Sequence, residues 1–194
     1  MRSVLLLAAL LTGIMAGSAG AQQPSAAPMA ARQAPLPPLA KPPGDIPDSQ
    51  AFVAYRSPLG FSVKAPEGWS RREQQNGVSF TDKYGSLTVE LTDAPMAPTT
   101  ASAKQVQAAR LEALPEAVTV SKIAAAAVPG GPAVTIAYAS NSAPNPVTGK
   151  AIRLENEQYL FWQAGKLATL TLSAPFGADN ADQWQLMARS FQWN

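Results

Sequence analysis

The sequence predicts an α+β sandwich, in which an antiparallel sheet carries one inserted helix and one C-terminal helix. Three observations favour this class. Apolar and polar residues alternate in short segments from residue 52 onward, a Pro-bounded polar stretch at 95–116 breaks the alternation, and the last stretch has apolar residues at helical spacing. Strands with helices added at separate points are typical of α+β folds.

The first 21 residues have the pattern of a secretory signal peptide. Arg2 supplies a positive charge, residues 4–15 form an apolar run, and residues 19–21 are small, as a cleavage site requires. The apolar run is shorter than the roughly 20 residues that cross a bilayer. We therefore expect an exported protein, periplasmic or secreted, without a transmembrane segment and cleaved near Ala21.

Residues 22–50 are predicted to be a Pro/Ala-rich disordered linker. They hold eight prolines and almost no bulky apolar side chains, so they bury too little surface to order themselves. We interpret them as an extended, semi-rigid tether. Recognition of the Pro-rich run by a partner is the alternative. The globular domain is expected at 51–194.

Four strands are predicted in the first half of the domain, at 52–56, 60–66, 77–83 and 86–94. In the last of them, Leu87, Val89 and Leu91 alternate with polar residues, which indicates one buried face. Tyr84 and Gly85 form a tight turn before it, so the last two strands are predicted to pair as an antiparallel hairpin.

The inserted helix is predicted over residues 102–114. Thr100 or Ser102 can cap its start, and Pro115 ends it. The helical spacing predicts a core-facing side made of Val106, Ala109, Ala113 and Leu114.

The second half of the domain is predicted to contain two further hairpins and the C-terminal helix. Strands at 118–128 and 132–140 flank a Pro-Gly-Gly-Pro turn, and strands at 151–165 and 166–175 meet at Gly165. Asp179 or Asn180 begins the helix, whose apolar face comprises Trp184, Met187, Ala188 and Phe191.

Several short motifs resemble the PsbP-like superfamily, which includes exported bacterial members such as the LpqN-type lipoproteins. They are GFSVKAPEGW (60–69), SFTDKYGSLTVEL (79–91), PNPVTGK (144–150) and ADNADQWQLMARSFQW (178–193). The resemblance spans residues 52–193. It implies an α/β/α sandwich around a central antiparallel sheet, and a role in binding or assembly without catalysis. The chain lacks the lipoproteins' cysteine, and no metal-ligand set of the family matches it.

The composition excludes several kinds of active site. The chain has no histidine and no cysteine, so it cannot form a Ser-His-Asp or Cys-His arrangement, and most zinc, copper and haem sites lack their usual ligands. A disulfide and a lipidated cysteine are excluded for the same reason. We expect no enzyme activity and no cofactor.

Glu155 and Glu157 are the best carboxylate pair in the sequence. They lie on one face of a predicted strand, together with Tyr159 and Phe161, and strand geometry separates them by about 6.6 Å. That separation suits a hydrolase that uses paired carboxylates with a hard cation, which is the alternative function. The structural interpretation is an exposed sheet face balanced by a cross-strand cation such as Lys166.

The loop at 140–153, SNSAPNPVTGKAIR, contains a TGK that suggests phosphate binding. It has a single glycine and leads into a strand, so it is not a nucleotide-binding loop, which needs several glycines and a following helix. Its length still invites a function. We predict a binding edge formed by the donors Asn141, Asn145, Thr148, Lys150 and Arg153; the alternative is that the asparagines close turns.

The charge pattern narrows the class of partner. The formal net charge is +2, and Lys and Arg are interspersed with acidic residues, which argues against nucleic acid and against a polybasic membrane patch. The sequence therefore predicts an exported, monomeric, non-catalytic binding or assembly accessory of the bacterial envelope, with an envelope or secreted protein as its partner.

Overall fold

A computed structural model describes residues 31–194. The predicted signal peptide and the first part of the predicted linker lie outside the described residues. No helix within the described range is long and apolar enough to cross a membrane.

A seven-stranded antiparallel sheet forms the centre of the domain. Its strand order is β3-β4-β5-β9-β8-β7-β6, and consecutive hairpins build most of it. The strands are β3 (Ser70–Gln74), β4 (Gly77–Thr81), β5 (Ser86–Asp93), β6 (Thr119–Val128), β7 (Gly131–Asn141), β8 (Arg153–Gln163) and β9 (Lys166–Pro175).

A second, three-stranded sheet packs on one face of the large one. It comprises β1 (Phe52–Ser57), β2 (Phe61–Pro66) and β10 (Gln192–Trp193), in the order β1-β2-β10. The C-terminal helix (Ala181–Ser190) shares this side, and the inserted helix (residues 100–112) covers the other face. The predicted α+β class, with one inserted and one C-terminal helix, is confirmed. The expectation of a single sheet is wrong.

The main core lies between the two sheets and the C-terminal helix. Phe61, Phe161 and Phe191 are fully buried there, and the rings of Phe161 and Phe191 stack with centroids 4.3 Å apart. A smaller apolar cluster, which includes Ala103 and Ile136, fills the space under the inserted helix. Both faces of the central strands are therefore covered, as the mixed pattern of β8 requires.

Two strands, β3 and β10, were not predicted because they lack the alternation of apolar and polar residues that marks a half-buried strand. All five residues of β3, SRREQ, are exposed, and β10 has only two residues. The helix also ends before Phe191, whose extended backbone (φ −62°, ψ 134°) leads from the helix into β10. Phe191 is buried as predicted, but it reaches the core from the segment after the helix.

The inserted helix faces the core with different residues from those predicted. Val106 and Leu114 are 40% and 44% exposed, whereas Ala103 and Ala108 are buried. Thr99 is the cap, and its side chain accepts a hydrogen bond from the backbone N–H of Ser102. A π-type turn at Lys104–Ala108 widens the helix, so residues five apart share a side. The prediction assumed the ordinary helical period and therefore chose the wrong face.

Residues 31–50 differ from the tether predicted for them. They contain no helix or strand, yet they lie along the domain. The backbone N–H of Ile46 donates to Asn180 Oδ1 at 2.7 Å, and that of Leu36 donates to Asn141 Oδ1 at 3.0 Å. Ile46 is buried in the main core. Prolines restrict the unfolded chain, so this segment loses less conformational entropy when it packs. A small number of contacts is therefore enough to hold it in place.

Candidate functional site

An open groove lies on the face of the large sheet that carries the three-stranded sheet. It has a volume of about 670 Å³ and lies over β6, β7 and β8, at one side of the C-terminal helix. We call it the sheet groove. Its floor carries Glu155 and Glu157, and its walls include Leu36, Pro38, Phe176 and Trp184.

Small residues on β7 create the space above the two glutamates. Glu155 pairs with Ala139 and Glu157 with Ala137, and paired residues of antiparallel strands point to the same face. The alanines fill little volume, so the carboxylates lie at the bottom of a trough. The sequence prediction that both glutamates share a face with Tyr159 is confirmed by this register.

Both carboxylates are half-buried and have no ion-pair partner among residues 31–194. The two ion pairs in that range are Arg71 with Glu73, at 3.5 Å, and Lys166 with Asp93, at 2.6 Å. The expectation that Lys166 balances the glutamates is therefore wrong. Lys166 pairs with Gln163 at the far end of β8, so it cannot reach them.

Burial changes the acidity of the groove floor. It raises the pKa of Glu155, an effect partly offset by a hydrogen bond from the backbone N–H of Gly177. It also raises the pKa of Glu157, and the Tyr159 hydroxyl and the charge of Lys122 partly offset that rise. The pKa of Tyr159 rises to about 12 through burial and the neighbouring Glu157. The floor thus holds carboxylates that lack full hydration and lack a salt bridge.

The apolar part of the groove lining comes from separate parts of the chain, and Thr119, Ser121 and Arg153 also line the groove. Trp184 is contributed by the C-terminal helix and Phe176 by the connection that precedes it; Phe176 is 39% exposed. Leu36 and Pro38 also line the groove. A second depression of about 320 Å³ shares both glutamates and Trp184 and reaches the start of the helix.

Asn141 and Arg153 hold the Leu36 side of the groove in place. Asn141 Oδ1 accepts from the Leu36 backbone N–H and from Arg153 Nη1, at 3.0 and 3.1 Å, while Asn141 Nδ2 donates to the Ala34 carbonyl at 2.9 Å. Arg153 Nη1 also donates to the Ala117 carbonyl at 2.8 Å, and burial lowers the pKa of the guanidinium. We call residues 32–38 the strap.

The five residues predicted for the loop are not brought together at one surface. Asn141 and Arg153 are only 3% and 6% exposed, so they do not form an exposed edge with the other three residues, and the predicted edge of five donors is not present. Asn141 is the last residue of β7 and Arg153 is the first residue of β8, and the strap packs at this place. Their polar atoms therefore form hydrogen bonds inside the domain.

The other three loop residues lie at an exposed tip. Asn145 Oδ1 accepts from the backbone N–H groups of Val147 and Thr148, at 2.9 and 3.0 Å, so this asparagine closes a turn, as the structural alternative stated. Thr148 and Lys150 are exposed, and Val147 is 90% exposed. Binding at this tip stays a prediction.

The groove walls were not identified from sequence. Trp184 was correctly predicted to be buried, but nothing in its helical spacing distinguishes a residue that also lines a groove. Leu36 and Pro38 fall in the segment predicted to be a linker. Within residues 31–194, no three acidic side chains converge as a metal site would require, so Glu155 and Glu157 have no third carboxylate ligand beside them.

Comparison with known proteins identifies the fold. No protein-family model matches the chain, and no curated protein does. The solution structure of cyanobacterial PsbP (CyanoP) from Synechocystis is similar to it, with 16% sequence identity and a TM-score of 0.50. That match covers 78% of this chain and 98% of that one.

Two further solved structures are similar at lower scores. The yeast (Saccharomyces cerevisiae) Ran-binding protein Mog1p has 14% identity and a TM-score of 0.49, over 75% of this chain and 96% of that one. LpqN of Mycobacterium tuberculosis, described as involved in cell envelope biogenesis, has 15% identity and a TM-score of 0.46, over 74% and 90%. At such identities the likeness concerns the fold. The chain has the PsbP-like fold that its sequence motifs predicted.

Proposed function

We propose that this protein is an exported, non-catalytic binding module of the bacterial envelope, and that the sheet groove holds a basic segment of a partner protein. The observation that carries the proposal is the pair of half-buried carboxylates, without an ion pair, on the floor of an open groove. A half-buried charge that lacks an ion pair is unfavourable, and a cation bound above it would relieve that cost.

The chemistry of the groove favours a lysine or arginine side chain as the group bound. Its positive end would lie between Glu155 and Glu157, and its methylene stem would pack on Trp184 and Phe176. The resemblance to the PsbP-like superfamily, whose members are generally binding or assembly factors, supports a binding role. The predicted signal peptide supports a partner in the periplasm or outside the cell.

The exposed loop tip would extend the contact surface. Asn145, Thr148 and Lys150 belong to the loop that joins β7 to β8, and β8 starts at Arg153, which also lines the groove. A partner segment lying in the groove and continuing past Arg153 would meet this tip.

The first experiment is affinity capture from detergent-treated envelopes with the exported protein as bait. The double variant Glu155→Gln, Glu157→Gln should lose the captured partner at least tenfold, because the amides carry no charge. Glu90→Gln is the matched control, since Glu90 is an exposed glutamate on β5. Equal capture by the unchanged protein and by the double variant would refute the role of the groove. A bait with Asn145, Thr148 and Lys150 changed to alanine tests the loop separately.

A defined probe tests the chemistry of the ligand directly. We expect tryptophan fluorescence to change on titration with an acetylated pentapeptide that contains one lysine, and to change at least tenfold less with its norleucine analogue. Equal responses to the two peptides would show that charge does not determine binding. The hydrolase alternative predicts a hydrolytic activity that the double variant Glu155→Gln, Glu157→Gln abolishes. The binding proposal predicts no hydrolytic activity.

A further inference from the structure

β6 is an unpaired edge of the seven-stranded sheet. It pairs with β7 on one side, and among residues 31–194 no backbone group pairs with its other side. Residues 123–128, IAAAAV, contain no charge and no proline. A long, uncharged strand edge presents unpaired N–H and C=O groups and is a template for a further strand.

The opposite edge of the same sheet is protected. β3 is five residues long and fully exposed, and it carries Arg71, Arg72 and Glu73. Charged side chains on a short edge strand oppose pairing with another chain. The large sheet therefore has one edge suited to pairing and one that resists it.

We propose that β6 pairs antiparallel with β6 of a second copy of this chain, so that the two large sheets join across a two-fold axis. This inference goes beyond the proposed function and replaces the expectation of a monomer. The strand is compatible with itself. In a pairing centred on Ala125, Lys122 lies opposite the partner's Val128, so the only charge on β6 does not face its own copy.

The local structure also limits the extent of the pairing. The ladder of β6 with β7 shifts register between Val120 and Lys122, and such a bulge bends the strand at that point. Pairing is thus confined to about residues 122–128. A two-fold arrangement uses the β6 edge of both copies, and the charged β3 edges at the far ends prevent further addition, so assembly stops at a dimer.

A single cysteine reports on this contact without background, because the chain has none of its own. In the proposed pairing, the Cβ atoms of the two Ala125 residues lie about 4.5–5.5 Å apart, close to the spacing that a disulfide spans. We expect the purified Ala125→Cys protein to form a covalent dimer on mild oxidation. Ala54→Cys is the matched control, since Ala54 is an exposed alanine on the edge strand β1. No more dimer from Ala125→Cys than from Ala54→Cys would overturn the proposal.

Charge variants test the same contact in solution. Ala125 is exposed, so Ala125→Lys should fold normally by circular dichroism, yet weaken dimerisation at least tenfold in sedimentation equilibrium. Ala125→Glu should also weaken dimerisation when it is measured alone. An equal mixture of the Ala125→Lys and Ala125→Glu proteins should dimerise again, because the opposite charges then face each other. A wild-type protein that stays monomeric, or a mixture that does, would overturn the proposal. Glu155→Gln with Glu157→Gln should dimerise as the wild type does, which separates this test from that of the groove.

Discussion

The two halves of one face of the seven-stranded sheet differ in what covers them. Near the middle of the sheet, Tyr159 and Phe161 of β8 are buried under the three-stranded sheet and the C-terminal helix. Two and four residues earlier on the same strand and the same face, Glu157 and Glu155 lie in the open groove. A change from aromatic to acidic side chains along one strand thus marks where the core ends and where a binding surface begins.

The largest expected effect comes from the covered half. Phe161→Ala removes a fully buried ring that stacks on Phe191, and such substitutions cost about 3–5 kcal/mol in the free energy of unfolding. Urea denaturation measures it. Phe176→Ala, which removes a partly exposed groove wall, should cost less than about 1.5 kcal/mol. Similar costs for the two variants would contradict the division of this face into core and groove.

The next largest effect concerns the strap that walls the open half. Asn141→Ala removes the acceptor of the Leu36 N–H and one acceptor of the Arg153 guanidinium, both of which are buried or half-buried, and should cost about 1–3 kcal/mol. Hydrogen exchange at the Leu36 amide should accelerate. The Ile46 amide, which donates to Asn180, is the internal control and should keep its protection. Unchanged exchange at Leu36 would mean that Asn141 does not hold the strap.

A smaller effect of opposite sign is expected on the groove floor. Burial raises the pKa of Glu157, so the folded state favours the protonated carboxyl more than the unfolded state does. This favours folding below the unfolded pKa, and the benefit is lost as the pH rises through the folded pKa. Glu157→Gln, which imitates the protonated group, should therefore stabilise the free protein at pH 7 by about 0.5–1 kcal/mol.

Thermal unfolding at two pH values checks this prediction. The gain from Glu157→Gln should be present at pH 7 and shrink towards zero at pH 4, where the wild-type carboxyl takes up a proton. Glu90→Gln should show no gain at either pH, because Glu90 is exposed. A loss of stability at pH 7 from Glu157→Gln would indicate that the Tyr159 hydroxyl and the charge of Lys122 outweigh the cost of burying the carboxylate.

The sequence correctly predicted the elements in which apolar residues recur with a single period, either that of a strand or that of a helix. Leu87 and Val89 alternate cleanly with polar neighbours, and Trp184 and Met187 follow the helical period, so these elements and the fold class were found. β3 has no apolar face, and its charged residues gave no signal.

The groove was half predicted for a related reason. The spacing of Glu155 and Glu157 places them on one face, and this follows from strand geometry alone. The walls depend on contacts between residues more than 100 positions apart, such as Leu36 with Asn141. No local pattern encodes such contacts, and proline content suggested that the strap would be free. Asn141 and Arg153 were predicted to bind because their side chains are hydrogen-bond donors, but both are buried and their polar atoms form hydrogen bonds inside the domain.

The smallest expected effect tests the other face of the sheet, where the inserted helix was predicted with the wrong side inward. Val106→Lys should change the free energy of unfolding by less than about 0.5 kcal/mol, because the side chain is exposed and lysine favours helix. Ala103→Val, at the fully buried contact, should cost about 1–3 kcal/mol through overpacking. The ordinary helical period predicts the reverse, since it buries Val106. A large cost at Val106 together with tolerance at Ala103 would therefore restore that face, and would show that the π-type turn does not set the orientation of this helix.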